Sequence, residues 1–221
     1  MIGYLHGYLG SPSVWGEVDG ACLALPGHGG GPVAATWDDN LAAIAHTLGP
    51  CEAVVGYSLG ARVAIGLVVA GHVPRAVLIS GNPGISYADR AARRASDARW
   101  AAMLRTEGLP AFLDAWEAQP LFATQGRASE LALLARRARR LVLDPEQVAR
   151  CLESMGLAEM PDYRAAIDDR FRLIAGTEDP TYVAIARALP AHLELIADAG
   201  HDVMLEQPGH TIEAIQRALA R

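Results

Sequence analysis

Short apolar runs alternate with helical stretches through the first eighty or so residues of the chain, and this alternation defines the fold class before any chemistry is considered. Strands are predicted over residues 2–6, 21–25, 53–57 and 75–80, with helices over 37–48 and 59–70 between them. The second helix is apolar nearly all round, which places it against a sheet rather than at the surface. From residue 86 to 158 the strand signal vanishes, and Ala, Leu and Arg recur in amphipathic stretches broken at Pro110, Pro120 and Asp144-Pro145. Strand character returns at 171–175 and 192–196, separated by a helix after Pro180 and followed by a closing helix over about 209–220. The pattern predicts an α/β fold with a mainly parallel sheet flanked by helices, interrupted by an all-helical lid insertion, in one domain spanning residues 1–221.

Composition adds a limited amount. The three cysteines, Cys22, Cys51 and Cys151, are widely spaced and form no CxxC, so neither a disulfide framework nor a metal site is expected. The amino end lacks a basic segment followed by an apolar one, and no apolar run approaches the length of a membrane span. A soluble, cytoplasmic protein without membrane attachment is the expectation, as a monomer or weak homo-oligomer. A net charge of -6 argues against a nucleic-acid surface. The charge is unevenly spread: residues 86–158 hold 11 Arg against 9 acids, whereas the rest holds 8 Arg against 16 acids. The chain has no lysine, so every fixed side-chain cation is a guanidinium, the group suited to bidentate contacts with carboxylates.

The chemistry begins at Gly56-Tyr57-Ser58-Leu59-Gly60, a GxSxG that follows a predicted strand and opens a predicted helix. A sharp strand-to-helix turn crowds its neighbours, which is why glycine flanks the serine, and the helix amino end favours negative charge beside it. A serine nucleophile or base needs a histidine and an acid, in the order Ser, acid, His. Asp179 follows one late strand and His201 follows the next, both at carboxyl ends where an open α/β sheet gathers its site. Glu178 and, more weakly, Asp202 are rival acids; Asp179 is preferred for its position at the turn and its shorter side chain. The backbone N–H groups of Tyr8 and Leu59 are the candidate oxyanion donors. His6 and the Pro26-Gly27-His28-Gly29 turn read as structural loop features, not proton carriers or phosphate loops.

Leu5-His6-Gly7-Tyr8-Leu9-Gly10-Ser11, the elbow with Ala61-Arg62, Ser80-Gly81-Asn82-Pro83-Gly84-Ile85, Ala91-Ala92-Arg93 with Ser96-Asp97, and Trp116-Glu117-Ala118-Gln119-Pro120-Leu121-Phe122 carry a resemblance over nearly the whole chain. The chain resembles the α/β-hydrolase superfamily, and within it the 2-succinyl-6-hydroxy-2,4-cyclohexadiene-1-carboxylate (SHCHC) synthases of menaquinone biosynthesis. The resemblance implies an α/β-hydrolase fold and a cofactor-free lyase that eliminates pyruvate from a small polyanionic carboxylate. It also implies that Tyr57, Arg62, Arg93 and Trp116 bind substrate, with a further arginine from the 136–140 cluster. Arg136 and Arg140 share a helix face there, and the pattern does not separate them. The alternative is a serine hydrolase of esters, thioesters or C–C bonds using the same triad covalently. Ala61 replaces a family glycine, Leu25-Pro26 lacks the aspartate usual before that turn, and the short amino end implies about six strands rather than seven or eight.

Overall fold

The computed structural model describes residues 1–220. Six strands form one sheet: β1 (Ile2–Leu5), β2 (Ala21–Leu23), β3 (Ala53–Tyr57), β4 (Ala76–Ile79), β5 (Phe171–Gly176) and β6 (His192–Ile196). Their order is β2-β1-β3-β4-β5-β6, and every neighbouring pair is parallel. β3 and β4 are buried at every position, which is why they read as unbroken apolar runs instead of alternating ones.

Helices cover both faces. α1 (Trp37–Leu48) begins at Thr36, whose hydroxyl accepts the Asp39 N–H, and α2 (Leu59–Val69) lies against the sheet with nearly every residue buried. Between β4 and β5 come α3 (Tyr87–Thr106), α4 (Gly108–Glu117), a 3-10 turn (Pro120–Arg127), α5 (Glu130–Arg140) and α6 (Pro145–Ser154). These elements roof the carboxyl ends of the strands. α7 (Pro180–Arg187), the single turn α8 (Val203–Glu206) and α9 (Pro208–Leu219) complete the chain. Among the described residues no helix is long and apolar enough to cross a membrane.

One predicted break moves. Pro110 lies in the first turn of α4, where a missing N–H costs nothing, and the chain turns instead at Gly108, whose φ of +80° ends α3. Pro120 and Pro145 do open new elements, the latter after Asp144, whose Oδ1 accepts the Glu146 N–H.

The loops after β1 and β2 are bound by a reciprocal pair of imidazoles. His6 Nε2 accepts the Leu25 N–H at 3.0 Å, and His28 Nε2 accepts the Leu9 N–H at 2.9 Å. Each ring therefore carries its proton on Nδ1, donating to the Gly7 and Pro26 carbonyls respectively. Burial holds both groups neutral, lowering His6 to about 4 and His28 to about 3. Together the two rings fix the loop that carries Tyr8.

Candidate active site

Ser58 stands on the turn between β3 and α2 with φ +52° and ψ -105°, a backbone region that a non-glycine residue rarely occupies. Its surroundings enforce the strain. A Cβ on Gly60 would collide with the Leu5 carbonyl, and one on Gly56 with the Gly60 carbonyl, so only glycine lets α2 start this close to β1 and β3. The turn lifts the serine hydroxyl to the mouth of the sheet.

His201 Nε2 lies 3.1 Å from Ser58 Oγ, and its Nδ1 lies 2.8 Å from Asp179 Oδ2. Asp179 and His201 are both buried, and the second oxygen of Asp179 accepts the Tyr182 N–H at 3.1 Å. The His201 carbonyl accepts the Ser80 hydroxyl at 3.0 Å. Three aromatic rings surround the imidazole, Tyr182 at 4.4 Å, Tyr57 at 5.7 Å and Phe122 at 6.1 Å between centroids. The rival acid Glu178 points outward and pairs with Arg127. Asp202 turns the other way and pairs with Arg136.

The relay opens into a cavity of about 320 Å³ whose walls include Tyr8, Tyr57, Leu59, Arg62, Arg93, Trp116, Arg136 and Arg140 beside Ser58 and His201. The sequence-derived residues thus meet in one space, with Asp179 behind His201. A Cβ built on Gly7 would stand 3.4 Å from that of Ser58, so the loop bearing the Tyr8 N–H passes close to the serine. The Tyr8 hydroxyl is engaged elsewhere, donating to the Val148 carbonyl at 3.0 Å. Its ring meets Trp116 at 5.2 Å, and Trp116 stacks on Phe112 at 5.4 Å, so one indole face belongs to the roof's own packing.

Arg62 Nη1 donates to the Met155 carbonyl at 2.7 Å, and burial followed by the neighbouring Arg93 charge lowers its pKa to about 10. Arg93 is held by Asp97 at 2.9 Å, Arg136 by Asp202 at 3.1 Å and Arg140 by Glu117 at 2.7 Å. The wall also holds a fifth guanidinium, Arg139 of the 136–140 cluster, Asn82 and Phe122 of the quoted motifs, and Tyr182, none of which the sequence reading gives a role of its own. Among the described residues, Asp202 is the one carboxylate on that wall. Among the described residues no cluster of three or more His, Cys, Asp or Glu could hold a metal ion.

The model of the alpha/beta hydrolase family matches residues 4–215. The chain belongs to that family. It is 33% identical to a 2-succinyl-6-hydroxy-2,4-cyclohexadiene-1-carboxylate synthase of Klebsiella pneumoniae subsp. pneumoniae, over 98% of this chain and 92% of the relative. A synthase of the same name from Escherichia coli O1:K1 / APEC shows the same identity and coverage. Among solved structures, MenH from S. aureus superposes with a TM-score of 0.91 at 26% identity, covering 99% of this chain and 92% of that one. An esterase of Thermogutta terrifontis reaches 0.74 at 23% identity, with 99% and 89% covered, a likeness of fold alone.

Proposed function

We propose that this protein is a lyase that eliminates pyruvate from 2-succinyl-5-enolpyruvyl-6-hydroxy-3-cyclohexene-1-carboxylate, giving SHCHC. The observation that carries the reading is a Ser58–His201–Asp179 relay opening into a cavity walled by five guanidinium groups and one carboxylate. The synthase name borne by relatives 33% identical over 98% of the chain supports it.

In this reading Asp179 orients His201, and His201 Nε2 takes the Ser58 proton as the serine oxygen removes a proton from the ring carbon that bears the succinyl group. The electron pair left on carbon moves into the ring, a second double bond forms, and the C–O bond to the enolpyruvyl group breaks. The departing enolate takes its proton from the His201 imidazolium and leaves as pyruvate. No acyl-enzyme forms, and the steps as drawn call for no metal or organic cofactor. The Tyr8 and Leu59 N–H groups face the negative charge that builds on the succinyl ketone oxygen. Arg62, Arg93, Arg136 and Arg140 hold the carboxylates, Tyr57 and Trp116 bound the ring, and residues 86–158 serve as the lid.

Pyruvate release from the authentic substrate, coupled to NADH oxidation by lactate dehydrogenase, tests the reading. The wild-type protein is expected to turn over, and Ser58→Ala to lose roughly a thousandfold or more in rate. Brisk hydrolysis of p-nitrophenyl acetate without pyruvate release would instead establish a serine hydrolase.

A further inference from the structure

The loop that carries His201 is bonded to the roof as well as to the sheet. Glu206, on α8, spans the gap with both carboxylate oxygens. Its Oε2 accepts the N–H of Gly200, the residue before the base, at 2.9 Å, and its Oε1 accepts the hydroxyl of Thr124 in the 3-10 turn at 3.0 Å. Gly200 and Thr124 approach so closely that a Cβ on Gly200 would overlap the threonine side chain. One residue further on, Gln125 Oε1 accepts from Arg136 Nη2 at 2.7 Å, and Arg136 Nη1 donates to Asp202, the residue after the base, at 3.1 Å. The residues on both sides of His201 are thus tied to the same turn of the roof, Gly200 by its N–H through Glu206 and Asp202 by its carboxylate through Arg136.

We propose that Glu206 is a positioning residue for His201, holding the imidazole in line with Ser58, and that Thr124 acts through it. The physical basis is the short lever between the two. Glu206 fixes the amide that precedes His201, and a shift of a few tenths of an ångström there displaces Nε2 from the serine hydroxyl. Its carboxylate in turn is oriented by the threonine hydroxyl from outside the loop, in a charge-assisted bond stronger than a neutral one. Neither Thr124 nor Glu206 appears on the cavity wall, so their effect reaches the reaction through the histidine.

The inference rests on the relay described under the proposed function but not on the identity of the substrate, and the experiment keeps the two apart. Thr124→Val, Thr124→Ser, Thr124→Ala and Glu206→Ala are compared with wild type in three measurements: pyruvate release, p-nitrophenyl acetate hydrolysis, and the rate at which a fluorophosphonate labels Ser58. Thr124→Val is expected to lower kcat about fivefold, with KM held within about twofold, because misalignment of a reacting group acts on the chemical step. The labelling rate is expected to fall by the same factor, and Thr124→Ser to restore both. Glu206→Ala is expected to lower kcat about tenfold, and in that background Thr124→Val is expected to add nothing, as for residues acting in one chain. Thr124→Ala, which adds no bulk, reads the same effect if the valine variant melts below the assay temperature. Unchanged kcat and labelling in Thr124→Val and Thr124→Ala would overturn the inference, as would a rise in KM alone, a serine variant that fails to restore the rate, or additive losses in the double variant. A wild type that labels and hydrolyses esters without releasing pyruvate would sink the proposed reaction while leaving this test intact.

Discussion

Two neighbouring helices of the roof, α5 and α6, look alike as amphipathic sequences and are held in opposite ways. α6 buries Val148, Ala149, Cys151 and Leu152, packing the latter against Ala101, Leu104 and Phe112 in an apolar cluster of the roof. α5 buries only Arg140, while Leu131 and Leu134 on its apolar face remain 78% and 58% exposed. Its inward face is the cationic one: Arg136 pairs with Asp202, Arg137 with Asp114 and Glu117, and Arg140 with Glu117. The contrast shows that one helix supports the roof while the other lines the site, with its orientation set by the carboxylates it can reach. Charge pairing is a weak adhesive compared with apolar burial, but a helix so held presents guanidinium groups to the cavity, where the proposed substrate would place its carboxylates.

Acidification should separate the two seats by the largest margin. α6 rests on the loops that His6 and His28 bind together, through the Tyr8 hydroxyl on the Val148 carbonyl and the Val33 N–H on Gln147. Burial lowers both imidazoles from 6.5, to about 4 and about 3, so the unfolded chain takes up protons before the folded one does. Their contribution to stability is therefore complete above about pH 6.5 and is lost as pH falls toward 3 to 4. Protonation would also put an N–H on each Nε2 facing the N–H it now accepts. Urea melts at successive pH values are expected to lose several kcal/mol across that window, and His28→Gln, which accepts without titrating, to flatten the slope. An equally steep slope in the variant would place the acid sensitivity elsewhere.

The same contrast explains what was legible in the sequence. Strands β1 to β6 lie within a residue or two of their predicted ranges, β3 and β4 most plainly because buried parallel strands leave unbroken apolar runs, and the turn at Ser58 is legible because two glycines flank a serine between a strand and a helix. Asp179 and His201 stood out as polar residues just past strand ends. In α5, periodicity locates the helix but would put its leucines inside, since no local pattern reports a carboxylate sixty-six residues away in sequence, as Asp202 is from Arg136. Tyr182, against the imidazole, and the contact of Thr124 with Glu206 were hidden for the same reason: a long-range polar contact has no period. Glu178 and Asp179 could be ranked but not separated by sequence, and geometry separates them, since one carboxylate faces His201 and the other faces Arg127.

Truncating α6 at its buried face comes next in size. Leu152→Ala removes an apolar side chain from the roof's cluster and is expected to cost about 2 to 5 kcal/mol. In a chain of this length that corresponds to a fall in melting temperature of roughly 6 to 15 °C. A loss under about 1 kcal/mol would mean that the cluster is not what supports the roof.

On α5 the sensitive positions are the arginines. Arg136→Met is expected to lower kcat/KM by about thirtyfold, since a charge-assisted clamp is lost. It also strands the buried Asp202 carboxylate, a destabilising change in its own right. The double variant Arg136→Met with Asp202→Asn removes the stranded charge, and is expected to recover the melting temperature without recovering KM. Recovery of both would assign Arg136 to stability instead of binding.

The smallest expected effect is the sharpest test of the inverted helix. Leu134 stands 58% exposed on the outer face of α5, so Leu134→Gln exchanges an apolar group in water for a polar one. Stability should then change by no more than about 0.5 kcal/mol, as for ordinary surface sites, and catalysis should not change at all. The same exchange on a helix seated by its leucines would expose a cavity and bury an amide, at a cost several times larger. Melting curves of Leu134→Gln beside Leu152→Ala therefore read the orientation of α5 directly. A loss at Leu134 comparable to that at Leu152 would mean that the apolar face is covered in solution, and that the arginines are not what holds this helix in place.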